Sequence, residues 1–328
     1  MAQGRFGWCF IGSGRIVERV LKDLPYSQGA YVATVYSPNY AHAQAFAQKA
    51  GAIACKSLEE AVSHPDVRAV YVGTPHAVHM ENTIAALELG KPVLCEKPFA
   101  LNRRESQAMI DAARASSLYL MEGMWMRFNP AIRKALSWIE SGRIGRVLGM
   151  RAEFAFRYSD GAPERLVSLS LGGGALLDVG VYTVALSRFV FGAQPTALDA
   201  TATFRPSGVD GQCALTLCYD DSAIARLYAS LDVSTPNDAH IYGDKGSIYI
   251  PDFALPERAT LIPFSGDPEV YESGKPGEGF QYEFDAVMED ILAGKLENAL
   301  VSHQYTLDVM ETLDATRARI GLVYPQEG

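Results

Sequence analysis

The sequence predicts an α/β fold: an N-terminal doubly wound parallel sheet, then an α+β part with a large, mostly antiparallel open sheet. Three observations carry this. Short apolar runs alternate with helical patterns up to about Met121. A Gly12-Ser13-Gly14 turn joins the first run to the first helix. From Val147 onward the runs are longer and several are joined by short turns. A chain of 328 residues suits two domains, because single cores stop growing below this size.

Phe6–Ile11 is apolar and reads as the first strand, and the helical pattern after Gly14 runs through Ile16, Val20 and Leu21 to Pro25. Tyr31–Tyr36 is a β-branched and aromatic run, followed by an alanine-rich helix through Phe46. Ala69–Val72 is a strand stopped by Gly73-Thr74-Pro75, and residues 77–89 form a helix closed by Gly90. Pro92-Val93-Leu94-Cys95-Glu96-Lys97-Pro98 is the next strand and its end. Asn102 and Glu105 make a capping box for a helix reaching Ser116, and Leu118–Met121 is one more strand. The boundary falls near Met121–Trp125, which gives domains 1–122 and 123–328. Beyond it, Val147–Tyr158, Ala197–Phe204, Ala214–Tyr219, Ala223–Ser230 and Ser247–Ile250 read as strands, with turns at Asp220-Asp221-Ser222 and Gly243-Asp244-Lys245-Gly246. Helices are expected near 173–191, 280–293 and 302–320.

Composition excludes several functions. With 48% hydrophobic and 20% charged residues and a net charge of −9, attraction to nucleic acid or anionic membrane is not expected. No apolar run reads as long enough to span a bilayer, and no secretory leader is expected. The five cysteines (Cys9, Cys55, Cys95, Cys213, Cys218) are odd in number and lack CxxC spacing, which suits reduced thiols in the cytoplasm. The six histidines are not grouped at ligand spacing, so no metal is expected.

Lys97 ends a buried run, so it is placed at the carboxyl edge of the sheet, where open α/β sheets bind ligands. Gly12, Ser13 and Gly14, with Arg15 and Ile16 opening the helix, suit a dinucleotide pyrophosphate, since backbone N–H groups can approach it closely. Val17 stands at the third fingerprint position and implies looser helix–strand packing. Tyr36-Ser37-Pro38-Asn39 carries no acid to repel a 2′-phosphate, and Ser37 and Asn39 could donate to one, which favours NADP over NAD. Thr74, Pro75, His76 and His79 follow another strand end, as cofactor contacts or as helix-start packing. Gly172-Gly173-Gly174 leads into a helix on which Asp178 and Tyr182 are four apart and share one face.

Gly-x-Gly after the first strand, Glu96-Lys97-Pro98 after a later one and Asp178-x-Gly180-x-Tyr182 resemble the Gfo/Idh/MocA oxidoreductase family. Leu120–Pro130, the Gly-Gly-Ala-Leu-Leu-Asp segment and Ile320–Gln326 resemble its branch of dihydrodiol and xylose dehydrogenases, as do His76 and His79. Pro38 stands where that branch carries arginine. The resemblance implies a Rossmann domain that binds NADP or NAD through Gly12–Ile16, Ser37, Thr74–His76, His79, Glu96 and Lys97. It implies a small carbohydrate, cyclic polyol or dihydrodiol substrate and a homodimer. It also implies hydride transfer from a CH–OH carbon while a base takes the hydroxyl proton. Free tyrosine titrates near ~10 and free lysine near ~10.4. A lysine cation about 4 Å from a phenolate favours it by up to about 4 kcal/mol at an effective dielectric of about 20, before desolvation opposes. Tyr182 is thus the candidate acid/base, with Lys97 tuning it and orienting the substrate oxygen; the reverse assignment stays open. Asp178 would hold a substrate hydroxyl or Lys97. Trp125, Phe154 and Phe280 are candidates for an aromatic wall or for core. Two other classes built on this fold are a non-catalytic cofactor sensor and a glycosidase that uses NAD transiently.

Overall fold

The computed structural model describes residues 5–158, 161–220 and 222–327. Contacts divide the chain into two units: Met1–Trp125 with Pro276–Thr306, and Met126–Lys275 with Leu307–Gly328. The segment Pro276–Thr306, which a single cut near residue 122 assigns to the second part, therefore belongs to the first unit.

The first unit runs β1 (Phe6–Ile11), α1 (Arg15–Asp23), β2 (Ala30–Tyr36), α2 (Tyr40–Ala50), β3 (Ile53–Cys55), α3 (Leu58–Val62), β4 (Ala69–Val72), α4 (His79–Glu88), β5 (Val93–Glu96), α5 (Arg103–Ser116) and β6 (Leu120–Gly123). Its six strands are all parallel, in the order β3-β2-β1-β4-β5-β6. The order reverses between β1 and β4, and the loops after these two strands flank the switch point. Fully apolar, fully buried runs such as Trp8–Ile11 and Val70–Val72 form the central strands because helices cover both faces. The capping of α5 is as expected: Asn102 Oδ1 accepts the Glu105 N–H at 2.9 Å.

The second unit contains α6 (Pro130–Glu140), β7 (Val147–Ala155), α7 (Glu164–Val167), α8 (Val181–Phe191), β8 (Ala197–Phe204), β9 (Asp210–Tyr219), β10 (Ala223–Ser230), β11 (Ala239–Gly243), β12 (Gly246–Ile250), β13 (Arg258–Pro263) and β14 (Glu269–Glu272). The eight strands form one sheet in the order β14-β13-β12-β11-β7-β10-β9-β8, antiparallel except where β10 runs parallel to β7. The fold class read from the sequence is the observed one. The turn residue Asp221 lies outside the described residues, but β9 and β10 on either side pair as expected. One face of the sheet is packed and the other is open: along β10, Ala223, Ala225 and Leu227 are buried, whereas Ile224 and Arg226 are exposed.

Two helices complete the chain, α9 (Gln281–Leu292) in the first unit and α10 (His303–Ile320). Phe284 of α9 packs against Trp8 at 4.7 Å and Tyr71 at 5.3 Å between ring centroids, which is why this late segment joins the parallel sheet. The expectation that no apolar run has membrane length needs correction. Leu169–Phe191 has the length and a mean hydropathy of 1.5, but 83% of its apolar window is buried inside the fold, as a core helix requires.

Candidate functional site

In the first unit the site is built on the carboxyl edge of the parallel sheet. The Gly12 N–H donates to the Tyr36 carbonyl at 2.8 Å, and the Gly73 N–H to that of Ile11 at 2.9 Å. Gly12 has φ +110°, and a Cβ there would lie 2.6 Å from the Gly73 oxygen, so only glycine fits. Gly14 caps α1 with extended backbone and no side-chain hydrogen bond, and a Cβ there would meet nothing within 4 Å. The helix therefore opens with no side-chain cap and with free space beside Gly14, which suits an anionic pyrophosphate. Val17 does not loosen the packing as its type suggested. It is fully buried and fits because Gly73 lacks a Cβ, which would stand 2.7 Å from Val17 Cγ2.

After β2, the expected ribose-reading segment holds Ser37 beside the capped start of α2. Asn39 Oδ1 accepts the Ala41 N–H at 3.1 Å, and its Nδ2 lies 3.4 Å from His42 Nε2. After β4, the buried His79 ring bridges two backbone carbonyls, Nδ1 2.9 Å from the Pro98 oxygen and Nε2 2.9 Å from that of Thr74. Burial lowers its pKa against the pull of both carbonyls, with Lys97 adding to the lowering. The His79 ring thus ties the Thr74 loop to the segment after Lys97, while His76, also buried, stands edge-on to it at 5.8 Å.

Lys97 is half-buried at the end of β5, and three buried carboxyls surround its segment. Glu96 accepts from the Tyr71 hydroxyl at 2.7 Å and the Lys97 N–H at 3.2 Å. Burial raises its pKa, opposed by Lys97 and the Tyr71 hydrogen bond. Glu122, paired in register with Cys95, accepts from the Thr306 hydroxyl at 2.9 Å; burial pushes it up to about 7. Glu283 on α9 has no hydrogen-bond partner among the described residues and lies well above the ordinary range, through burial and then the charge of Glu96. Asp23 was not singled out from the sequence. Its carboxylate accepts the N–H groups of Glu278, Gly279 and Phe280 at 2.7–3.1 Å and so fixes the start of α9. That turn seats Phe280 against Trp125, with ring centroids 4.8 Å apart; Phe280 has no exposed surface and Trp125 only 2%.

In the second unit, the triple glycine leads into a widened helical turn, Leu176–Gly180, and then α8. Such π turns often mark functional positions. Asp210 accepts the Leu176 N–H at 2.6 Å, and burial raises its pKa to about 7. Gly174 has φ +122°, and a Cβ there would lie 2.0 Å from Asp210 Oδ1. Asp178 is nearly buried and forms an ion pair with Arg165 on α7 at 2.7 Å. Burial opposes the Arg165 cation, but Asp178, Tyr158 and Tyr182 outweigh it and its pKa is raised. The Tyr182 ring packs edge-on to Phe154 at 5.2 Å. The structure thus brings together Trp125 with Phe280 in one unit, and Phe154 with Tyr182 in the other. Arg165 and Asp210 carry no local motif; both lie far in sequence from the segment they support. Among the described residues no three His, Cys, Asp or Glu side chains gather so as to hold a metal ion.

Comparison with known proteins agrees with this geometry. Residues 6–124 match the family model described as "Oxidoreductase family, NAD-binding Rossmann fold", and residues 132–249 match the Gfo/Idh/MocA C-terminal domain. The chain belongs to the Gfo/Idh/MocA oxidoreductase family. It is 34% identical to a trans-1,2-dihydrobenzene-1,2-diol dehydrogenase of Danio rerio and 30% identical to an NADP⁺-dependent scyllo-inositol 2-dehydrogenase of Bacillus subtilis, over 98% of each chain. Among solved structures, a 3-ketoreductase from Actinomadura kijaniata, in complex with NADP, superposes with a TM-score of 0.88 at 23% identity, covering 96% of this chain and 98% of that one. This Gfo/Idh/MocA protein is thus an NAD(P)-dependent oxidoreductase that transfers a hydride between a nicotinamide and a carbon bearing CH–OH or C=O. The residues present fit that cofactor: Gly12, Gly14 and the start of α1 suit its pyrophosphate.

Proposed function

We propose that the protein oxidises a secondary or anomeric hydroxyl of a sugar, cyclic polyol or dihydrodiol, or reduces the matching carbonyl, with NADP preferred to NAD. The observation that carries this is the shared edge in the first unit: the glycine cradle follows β1, and Lys97 follows β5, two strands away in the same parallel sheet. The relatives support the substrate class, since their names specify a dihydrodiol and an inositol. The absence of an acid at the end of β2, with Ser37, Asn39 and His42 there instead, supports NADP.

When bound, the nicotinamide supplies the hydride acceptor or donor. Tyr182 takes the hydroxyl proton in oxidation and returns it in reduction. Lys97 donates to the substrate oxygen and stabilises negative charge on it. Asp178 receives a second substrate hydroxyl while held by Arg165. Glu96, Tyr71 and His79 hold the Lys97 segment in place.

A screen at 340 nm of aldoses, anhydro-sugars, inositols and dihydrodiols, each with NADP⁺ and with NAD⁺, tests the reading. Turnover with at least one class, faster with NADP⁺, is expected. Cofactor binding without turnover across the panel refutes the enzymatic assignment, and product formation without net reduced cofactor replaces it with glycosidase chemistry. Lys97→Met should abolish turnover and keep cofactor affinity within a few-fold; wild-type turnover in that variant sinks the role of Lys97.

The open face of the eight-stranded sheet supports a homodimer. It exposes Ile224 and Tyr242 beside Arg226, and a cavity of about 410 Å³ lies there between Arg151, Glu153, Asp199 and Tyr228. Sedimentation at micromolar concentration should show two chains; a monomer refutes it. Five unbridged thiols, four of them buried, support a cytoplasmic location.

A further inference from the structure

We propose that Lys56 determines cofactor specificity: its ammonium answers the charge of a 2′-phosphate from the strand beside the ribose-reading one. This rests on the reading that NADP is preferred to NAD, and it names the group that makes the difference.

The segment after β2 offers hydrogen-bond donors but no permanent positive charge. It runs Ser37, Pro38, Asn39, Tyr40, Ala41 and His42. Pro38 has no N–H to give. Asn39 Oδ1 already accepts the Ala41 N–H at 3.1 Å, so Nδ2 is its donor end, and it stands 3.4 Å from His42 Nε2. A phosphate met by neutral donors alone forgoes the charge-assisted bonds, which are about twice as strong. The positive charge therefore has to come from a neighbouring element.

The sheet supplies one. β3 lies beside β2 and parallel to it, with Thr34 opposite Ile53, Val35 opposite Ala54 and Tyr36 opposite Cys55. Ser37 and Lys56 are thus the next residues on two adjacent strand ends, where strands are about 4.8 Å apart. Both leave the sheet at its carboxyl edge, the edge at which open α/β sheets bind ligands. Cys55 is buried and Lys56 is exposed.

The backbone of Lys56 is fixed while its side chain is left available. Glu60 Oε2 accepts the Lys56 N–H at 2.8 Å, and Ser57 Oγ accepts the Glu60 N–H at 3.1 Å, so the start of α3 anchors the main chain here. The Lys56 Nζ lies 5.7 Å from the centre of the Tyr40 ring, near the outer limit for a cation over an aromatic face. The side chain thus leans across β2 toward the first turn of α2. Among the described residues Lys56 forms no ion pair. Its flexible four-carbon stem is longer than one strand spacing, so the ammonium can reach a phosphate held by Ser37 and Asn39. An ammonium has no lone pair with which to receive the 2′-hydroxyl of NAD, so Lys56 favours one cofactor without assisting the other.

The test is binding to the intact chain, read without turnover. NADPH and NADH are titrated by fluorescence, and adenosine 2′,5′-bisphosphate and adenosine 5′-phosphate by calorimetry, in wild type, Lys56→Met and Lys56→Arg. Methionine keeps an unbranched stem against Tyr40 and removes the charge. In Lys56→Met, NADPH and the bisphosphate should each bind about tenfold more weakly, the loss of one charge-assisted contact. NADH and the monophosphate should stay within about twofold, since neither carries the phosphate that Lys56 faces. Lys56→Arg should bring the NADPH to NADH ratio back to within a few-fold of wild type. The melting temperature should not change, because the side chain is exposed. An unchanged ratio in Lys56→Met, an equal loss of both cofactors, or a Lys56→Arg no better than Lys56→Met overturns the inference. The parent reading fails separately: wild type that binds NADH as tightly as NADPH refutes the NADP preference and this inference with it. Wild type that prefers NADPH, with a Lys56→Met that keeps the preference, refutes only the role of Lys56.

Discussion

Replacing Glu122 by glutamine tests the electrostatics around Lys97. Glu122 is 1% exposed, and burial lifts its pKa from an ordinary 4.5 to about 7, against the Thr306 hydroxyl and the Phe99 amide, which favour the ionised form. The sign follows from proton binding. Between these two values the folded chain holds the proton more tightly than the unfolded chain, so stability falls as pH rises from 4.5 to about 7 and levels off above. The gap is about 2.5 pH units, and each is worth about 1.4 kcal/mol, so ionising Glu122 costs the fold up to about 3 kcal/mol. Glutamine keeps an oxygen for the Thr306 hydroxyl and cannot ionise. Its amide adds buried N–H groups at a cost of about 1–3 kcal/mol, the same at every pH. The informative quantity is therefore the change with pH of the difference between the two proteins. Thermal melts of wild type and Glu122→Gln at pH 5, 6, 7 and 8 should show the variant gaining on wild type as pH rises. The gain should be on the order of 5–10 °C between pH 5 and 8. A difference that is flat across that range, or that moves against the variant, refutes the reasoning.

Two other substitutions probe the scaffold of the first unit. Gly14→Ala should leave the melting temperature unchanged, since its Cβ meets nothing within 4 Å, yet weaken NADPH binding tenfold or more by fluorescence titration; wild-type affinity would remove the cradle from the proposed site. Asp23→Ala strips three backbone N–H groups of their acceptor at the start of α9 and should cost roughly 1–2 kcal/mol; melting should fall and amide exchange at Glu278–Phe280 accelerate, and unchanged exchange there would contradict the capping role.

The parts of the fold legible in the sequence were those with strong local signals. Phe6–Ile11, Ala69–Val72, Ala197–Phe204 and Ala223–Ser230 form strands at the bounds their patterns indicate. β3 was missed because three residues carry no periodicity and Ile53 is 49% exposed at the sheet edge. β13 and β14 alternate too weakly, as outer strands of a one-sided sheet do. At the site, Gly12, Gly14 and Lys97 were readable because a turn, a helix start and a strand end each leave a local mark. Arg165, Asp23 and Asp210 were not. Each works on backbone or side chains 13 to 257 residues away, and nothing in its own neighbourhood distinguishes it from a surface charge.

These long-range groups bear on the choice between Tyr182 and Lys97 as proton carrier. Lys97 lies in the field of Glu96 and Glu122, and whatever fraction of these carboxyls is ionised favours the ammonium. A lysine held as a cation donates hydrogen bonds well and accepts a proton poorly. Tyr182 lies in the field of Arg165, and a nearby cation favours the phenolate, which accepts a proton well. Asp178, paired to that same arginine, offsets part of this field. Each unit thus biases its group in the direction the proposed reaction needs: Lys97 as the standing charge and Tyr182 as the group that titrates. The bias on Lys97 weakens below about pH 7, where Glu122 takes up its proton.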